Sequence, residues 1–263
     1  MNRDSSIGIF DSGIGGLTIL QKIRELLPRE NIIYYGDWKN NPYSEKSRKD
    51  IQEFSVNIME FLLKNNCKGV VIACSIFSAA SLEFLKERYN VPIVGMIDGG
   101  VNAAILESEN KKIAVIGSDF TINSNIYKEN IQKICPNAIV YQVPCKSLCS
   151  MLEKGWENYE NRLEILKGYL EKIPKDSDTL ILGGTHYPFI INDIKKFFSK
   201  KIVDSSVESV IELFRVLGQK DLLKEGNKKG RIEFYINGDR DEFKKVARRL
   251  FEEKDLRNMF LIY

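Results

Sequence analysis

The chain has 263 residues, with 39 Lys and Arg against 36 Asp and Glu and a single His, for a formal net charge of +3. That length exceeds the roughly 100–200 residues usual for one domain, so two modest domains or one large one can each bury a full core. The small basic excess is spread as Lys-Lys and Arg-Arg pairs flanked by Glu, which reads as solvated surface and argues against a nucleic-acid partner.

From the N-terminus, Met1 to Ser6 run into a strand without an apolar signal core, and no apolar run nears the roughly 18 residues of a membrane span. A cytoplasmic protein with no membrane partner is expected. Short β-branched runs follow at 7–10, 32–35, 70–73, 93–94, 113–116, 139–143, 180–182, 202–203 and 232–236. Between them, residues 17–27, 47–64, 79–89, 123–134, 162–172, 192–199 and 207–217 space their apolar side chains as helices do. This alternation specifies an α/β fold with largely parallel sheets. Gly95-Met96-Ile97-Asp98-Gly99-Gly100 and Asp204-Ser205-Ser206 read as joints, giving a first domain of 1–97 plus 207–263 and a second of 98–206.

Two strand ends match across that division. Gly69-Val70-Val71-Ile72-Ala73-Cys74-Ser75 and Thr179-Leu180-Ile181-Leu182-Gly183-Gly184-Thr185 align at an offset of 110 (179 − 69), which sets Cys74 opposite Gly184. Ile7-Gly8-Ile9-Phe10-Asp11-Ser12-Gly13 echoes Ile113-Ala114-Val115-Ile116-Gly117-Ser118-Asp119 at an offset of 106 (113 − 7). The expectation is two pseudo-symmetric α/β domains with a ligand cleft at their strand carboxyl ends, and a thiol supplied from one side only.

Asp11-Ser12-Gly13-Ile14-Gly15-Gly16 follows a strand and opens a helix, so its N–H groups and the Ser12 hydroxyl suit a carboxylate or phosphate, or form a plain tight turn. Its spacing is not that of a dinucleotide-binding loop. Cys74 ends a buried strand before a helix, where thiol pKa values fall to about 3.5–7.5 in favourable settings, although a small buried Cys also serves as packing. His186, the only histidine, sits beside two glycines at the matching strand end. Asp37 to Ser44 reads as an exposed loop carrying an acid, a ring and hydroxyls. Cys67, Cys74, Cys135, Cys145 and Cys149 form an odd set with no CxxC pair, which supports neither a disulfide framework nor a metal site.

Several of these stretches together resemble glutamate racemase, of the aspartate/glutamate racemase superfamily. They are Ile9 to Thr18, Tyr35-Gly36-Asp37 through Pro42-Tyr43 and Lys46-Ser47, Ile72-Ala73-Cys74, Ile113 to Gly117 with Thr121 to Ser124, and Thr185-His186-Tyr187-Pro188. The resemblance runs in order from about residue 7 to about residue 210. It implies a cofactor-free enzyme, usually a homodimer, that interconverts L- and D-glutamate for peptidoglycan supply. One cysteine thiolate removes the α-proton and a second thiol reprotonates the opposite face. By this resemblance Asp11 assists Cys74, His186 assists the second thiol, and Ser12, Pro42, Tyr43, Ser44, Ser75, Ile76, Thr121 and Thr185 line the amino-acid site.

The departures fall on the chemistry. The family's Ala-Cys-Asn-Thr is Ala73-Cys74-Ser75-Ile76 here, its Gly-Cys-Thr-His-Tyr-Pro has Gly184 for the cysteine, and Ser44 replaces a Gly. Three readings follow: a racemase in which His186 or a water beside Gly184 supplies the second proton; a one-base lyase, decarboxylase or epimerase acting on a related acid; or a non-catalytic amino-acid-binding paralogue.

Overall fold

The computed structural model describes residues 1–248, 251–253 and 255–262, with the backbone alone described at Ser44, Glu242 and Val246. The chain divides into two compact units, Met1–Gly95 with Ser209–Tyr263, and Met96–Glu208.

In the first unit, β1 (Ile7–Asp11), β2 (Ile32–Asp37), β3 (Gly69–Ile72) and β4 (Ile93–Gly95) are joined late in the chain by residues far removed in sequence. Those in the second unit are β5 (Lys112–Gly117), β6 (Ile139–Pro144), β7 (Thr179–Leu182) and β8 (Lys201–Asp204); β9 (Ile232–Asn237) and β10 (Met259–Leu261) then complete the first sheet. Its order is β10-β9-β2-β1-β3-β4, and every pairing is parallel. The second sheet runs β6-β5-β7-β8, again parallel throughout. Its order repeats the β2-β1-β3-β4 portion of the first, which is the α/β architecture of two related halves.

The central strands explain the choice of sheet. β1 is apolar on both faces and buried along its whole length, as a strand covered by helices on each side requires. In the second unit the two faces separate by the period-two rule. Ala114, Ile116, Leu180 and Leu182 pack with Trp156, Leu166 and Tyr187, whereas Ile113, Val115 and Ile181 pack with Ile97, Val101 and Tyr127. The repeat extends to single bonds. Ala73 N–H donates to Phe10 O at 2.8 Å, and Gly183 N–H donates to Ile116 O at 2.8 Å, the pairs related by the two sequence offsets.

Some local expectations need correction. The glycine-rich stretch read as a joint holds the break between the units, after Gly95, but from Met96 onward it is a helix, Met96–Glu107, rather than a loop. Its glycines serve close packing: a Cβ at Gly100 would lie 2.3 Å from Ser205 Oγ. Residues 123–134 hold two helices' worth of turn, Asp119–Asn123 and Ile126–Ile134, separated at Asn125, whose φ of 58° is left-handed. The helix expected at 192–199 shortens to Ile191–Ile194. β10 and the helix Arg240–Ala247 were not anticipated.

A buried ion pair ties down the far end of the first unit. Lys68, fully buried, meets Glu30 at 2.5 Å and donates to Arg3 O at 2.7 Å, while Glu30 accepts from Lys224 N–H at 2.7 Å.

Candidate active site

The parallel register of β1 and β3, which pairs Phe10 with Ile72, brings the residues after each strand together. Asp11 ends β1, and Cys74 stands immediately before the helix Ser75–Arg88. The Ser12 hydroxyl lies 3.2 Å from Cys74 Sγ. Asp11 is buried and accepts from Gly13 N–H at 2.8 Å. Burial pushes its carboxyl up to about 6, against backbone N–H groups of Gly16, Gly13, Ser12 and Gly15 that pull the other way. The glycine at 16 is required by this crowding, since a Cβ there would lie 2.7 Å from Asp11 Cβ and 3.0 Å from Ala73 Cβ.

Cys74 differs from expectation in one respect. Its thiol is pushed up to about 12, first by burial and then by the Asp11 charge, which outweigh the Phe77 N–H, the Ser12 hydroxyl and the Ile76 N–H. The helix N-terminus favours a thiolate, but desolvation dominates, so the ligand-free protein holds a thiol.

The segment read as an exposed loop is exposed only in part, at Lys39 and Pro42. Asp37 and Tyr43 are both buried. The Tyr43 hydroxyl donates to Asp37 Oδ2, and Asp37 also accepts from Asn40 and, at 2.7 Å, from Asn237. The Tyr43 ring packs on Phe77, centroids 4.5 Å apart. Tyr43 therefore anchors the segment to the helix that follows Cys74. Pro42, behind a cis peptide bond, is exposed. Ser75 is buried and Ile76 half-buried in the first turn of that helix; the Ser44 side chain lies outside the described residues.

In the second unit, β7 ends at Leu182 and is followed by Gly183, Gly184, Thr185 and His186. Thr121 is fully buried, and its N–H donates to Oγ of the capping residue Ser118 at 3.2 Å. Thr185 and His186 are also buried. Burial lowers the His186 imidazole to about 4, so it is neutral at pH 7. Glu153 Oε1 stands 3.5 Å from His186 Nε2, which is accordingly not an ion pair at that pH, and the Nε2 atom makes no hydrogen bond.

Residue 184 has no side chain, and the space is taken. A Cβ built there would meet the Tyr187 ring at 3.0 Å. The Tyr187 hydroxyl in turn accepts from the Cys149 thiol at 3.8 Å. Cys149 and Glu153 lie four residues apart on the helix Leu148–Glu153 and so share a face, one reaching Tyr187 and the other His186. Sequence reasoning counted Cys149 only among the five cysteines and overlooked Glu153. The four-residue spacing ahead of Gly155 was visible, but nothing in the sequence joined it to residues 184–187.

Among the described residues no three His, Cys, Asp or Glu side chains are grouped so as to hold a metal ion, and no helix is long and apolar enough to cross a membrane.

Comparison with known proteins agrees with this arrangement. The family model for Asp/Glu/Hydantoin racemase matches residues 7–212. A glutamate racemase of Fusobacterium nucleatum is 42% identical over 246 residues, covering 93% of each chain. The crystal structure of a glutamate racemase isoform from Bacillus anthracis superposes with a TM-score of 0.92 at 33% identity, covering 99% of this chain and 97% of that one. The glutamate racemase of Francisella tularensis, solved in complex with D-glutamate, gives 0.91 at 33% identity, over 99% and 98%. With the matched segment spanning both strand-end motifs, the chain belongs to the Asp/Glu/Hydantoin racemase family, among its glutamate racemases.

Proposed function

We propose that this protein interconverts L- and D-glutamate by proton transfer at the α-carbon, with Cys74 as the base on one face. The observation that carries this reading is the setting of Cys74, beside Asp11 and 3.2 Å from the Ser12 hydroxyl. The bound ammonium of the amino acid lowers the thiol's pKa by charge. Asp11, ionised above about pH 6, takes the thiol proton, and the Ser12 hydroxyl donates to the thiolate. Cys74 then removes the α-proton, and a second proton donor serves the opposite face. The reading includes no cofactor, because acid–base groups alone contribute about 10²–10⁴-fold each when well placed.

Ser12, Pro42, Tyr43, Ser44, Ser75, Ile76, Thr121 and Thr185 are proposed to line the amino-acid site, Tyr43 by fixing its segment through Asp37. His186 and Gly184 mark the second proton's side. The domains are proposed as 1–97 with 207–263, and 98–206, a division supported by the compact units that break after Gly95 and Glu208. The D-glutamate complex of the Francisella relative supports glutamate as the ligand. A homodimer, a cytoplasmic setting and a role in peptidoglycan supply belong to the same proposal. Free cysteines throughout the described chain support a reducing compartment.

The test is to incubate the protein with L- and D-glutamate separately in D₂O and follow α-deuteration and optical inversion. Inversion of both enantiomers is expected. Neither exchange nor inversion with either one would sink the reading.

A further inference from the structure

Asp37 is buried at the end of β2, and a carboxylate only accepts, so each group that faces it must donate. Asn40 Nδ2 donates to both oxygens at 3.0 Å, the Tyr43 hydroxyl donates to Oδ2, and Asn237 Nδ2 donates to Oδ1 at 2.7 Å. Asn40 and Tyr43 belong to the segment that leaves β2, 3 and 6 residues on, so they move with it. Asn237 comes from 200 residues away. It ends β9, where the parallel register sets it beside Asp37, and β9 lies beyond the matched segment 7–212. The main chain is fastened at the same point. Lys39 N–H donates to Asn237 O at 2.7 Å, and a Cβ at Gly238, whose φ is 129°, would stand 3.0 Å from Trp38 Cβ. At the other end of this relay the Tyr43 ring packs on Phe54, centroids 5.9 Å apart, as well as on Phe77. Phe77 stands in the first turn of the helix that also carries Ser75 and Ile76.

We propose that Asn237 is a positioning residue of the amino-acid site: by occupying Asp37 Oδ1 it leaves Oδ2 to Tyr43, and so sets segment 42–44 against the helix that follows Cys74. The inference rests on the racemase reading above, in which Pro42, Tyr43, Ser75 and Ile76 line that site. Asn237 moves no proton; it acts on binding. A misplaced segment 42–44 weakens the hold on the amino acid and raises KM. A chain that is only less stable loses active molecules instead, which lowers the apparent kcat and leaves KM alone.

The experiment compares the unmodified protein with Asn237→Ala, with Asn237→Asp, and with Asp37→Asn combined with Asn237→Asp. It measures kcat and KM for inversion of L- and D-glutamate, with thermal melting as a check on the fold. Asn237→Asp keeps the shape of the side chain and sets an acceptor against an acceptor. A hydrogen bond to a charged group is worth roughly ten- to a hundredfold in an equilibrium. KM should therefore rise about tenfold or more in Asn237→Asp and about threefold or more in Asn237→Ala, with kcat held within about threefold in both. The exchanged pair again sets a donor against an acceptor and leaves an amide oxygen to Tyr43, so KM should return to within about threefold of the unmodified protein. If Asn237→Asp melts too low for assay, Asn237→Ala carries the test. KM unchanged within about twofold in a folded Asn237→Ala would overturn the proposal. So would a fall in kcat at constant KM, or an exchanged pair no better than Asn237→Asp. An unmodified protein that inverts neither enantiomer would instead overturn the glutamate reading, and this proposal with it.

Discussion

Ser12 and Cys74 are 62 residues apart in the chain, yet their side-chain oxygen and sulfur stand 3.2 Å apart, because β1 and β3 are parallel neighbours that both end at this point. The contact matters only when the sulfur is charged. A hydroxyl donating to an anion is worth about 1.5–3 kcal/mol, so Ser12→Ala is expected to slow α-proton exchange roughly ten- to a hundredfold. Alkylation of Cys74, followed by mass spectrometry of its own peptide, should shift to higher pH in the variant. An unshifted profile would remove Ser12 from the activation of the thiol.

Asp11 carries a pH signature. Burial holds its carboxyl at about 6, above the ordinary value of 3.8, so the fold prefers the neutral carboxyl. Stability from this group is complete below about pH 4 and is lost as pH rises through 6. That difference corresponds to about 3 kcal/mol. Asp11→Asn should therefore gain stability relative to the unmodified protein between pH 4 and pH 7, by up to that amount in urea titrations, while losing exchange activity. A constant difference across this range would show that Asp11 ionises as freely in the folded chain as in the unfolded one.

Much of this was legible from residue pattern. The strand and helix alternation, the two offsets and the matching of Cys74 with Gly184 needed only spacing, because parallel strands buried on both faces are written as unbroken apolar runs. What spacing could not reveal was desolvation. Cys74 at a helix N-terminus reads as an activated thiol, and only its burial beside Asp11 reverses that. Asp37 and Tyr43 read as loop residues, although their mutual hydrogen bond allows both to be buried. The contact of Cys149 with Tyr187 was not legible because the two lie 38 residues apart.

Gly16 tests how tightly the Asp11 turn is packed. An added Cβ would stand 2.7 Å from Asp11 Cβ, 2.9 Å from the Tyr34 hydroxyl and 3.0 Å from Ala73 Cβ. None of these is the far end of a flexible chain. Gly16→Ala is expected to destabilise by about 1–3 kcal/mol, the usual range for overpacking, and to lower exchange by displacing Asp11. Unchanged melting and exchange would mean that the turn yields freely.

The Lys68–Glu30 pair predicts a stability effect remote from the chemistry. Both side chains are buried, and each also satisfies a backbone group, Arg3 O and Lys224 N–H. Lys68→Ala leaves a buried carboxylate without its cation, which costs about 3–5 kcal/mol in comparable settings. Denaturant unfolding should report that loss, and Glu30→Gln in the same background, which removes the stranded charge, should recover part of it. An equal loss with and without Glu30→Gln would assign the effect to lost packing.

Restoring the aligned thiol brings Tyr187 into play. A Cβ at residue 184 would press on the Tyr187 ring at 3.0 to 3.2 Å, and the ring's hydroxyl is held by Cys149. Gly184→Cys should therefore destabilise the protein by about 1–3 kcal/mol. Cys149→Val removes the thiol that contacts the Tyr187 hydroxyl and leaves the ring freer to shift, so in that background the same substitution should cost less. Such non-additivity is expected of residues that share a neighbour. A double-mutant cycle in urea unfolding measures it directly, and strict additivity would show that residues 149 and 184 do not act through the Tyr187 ring.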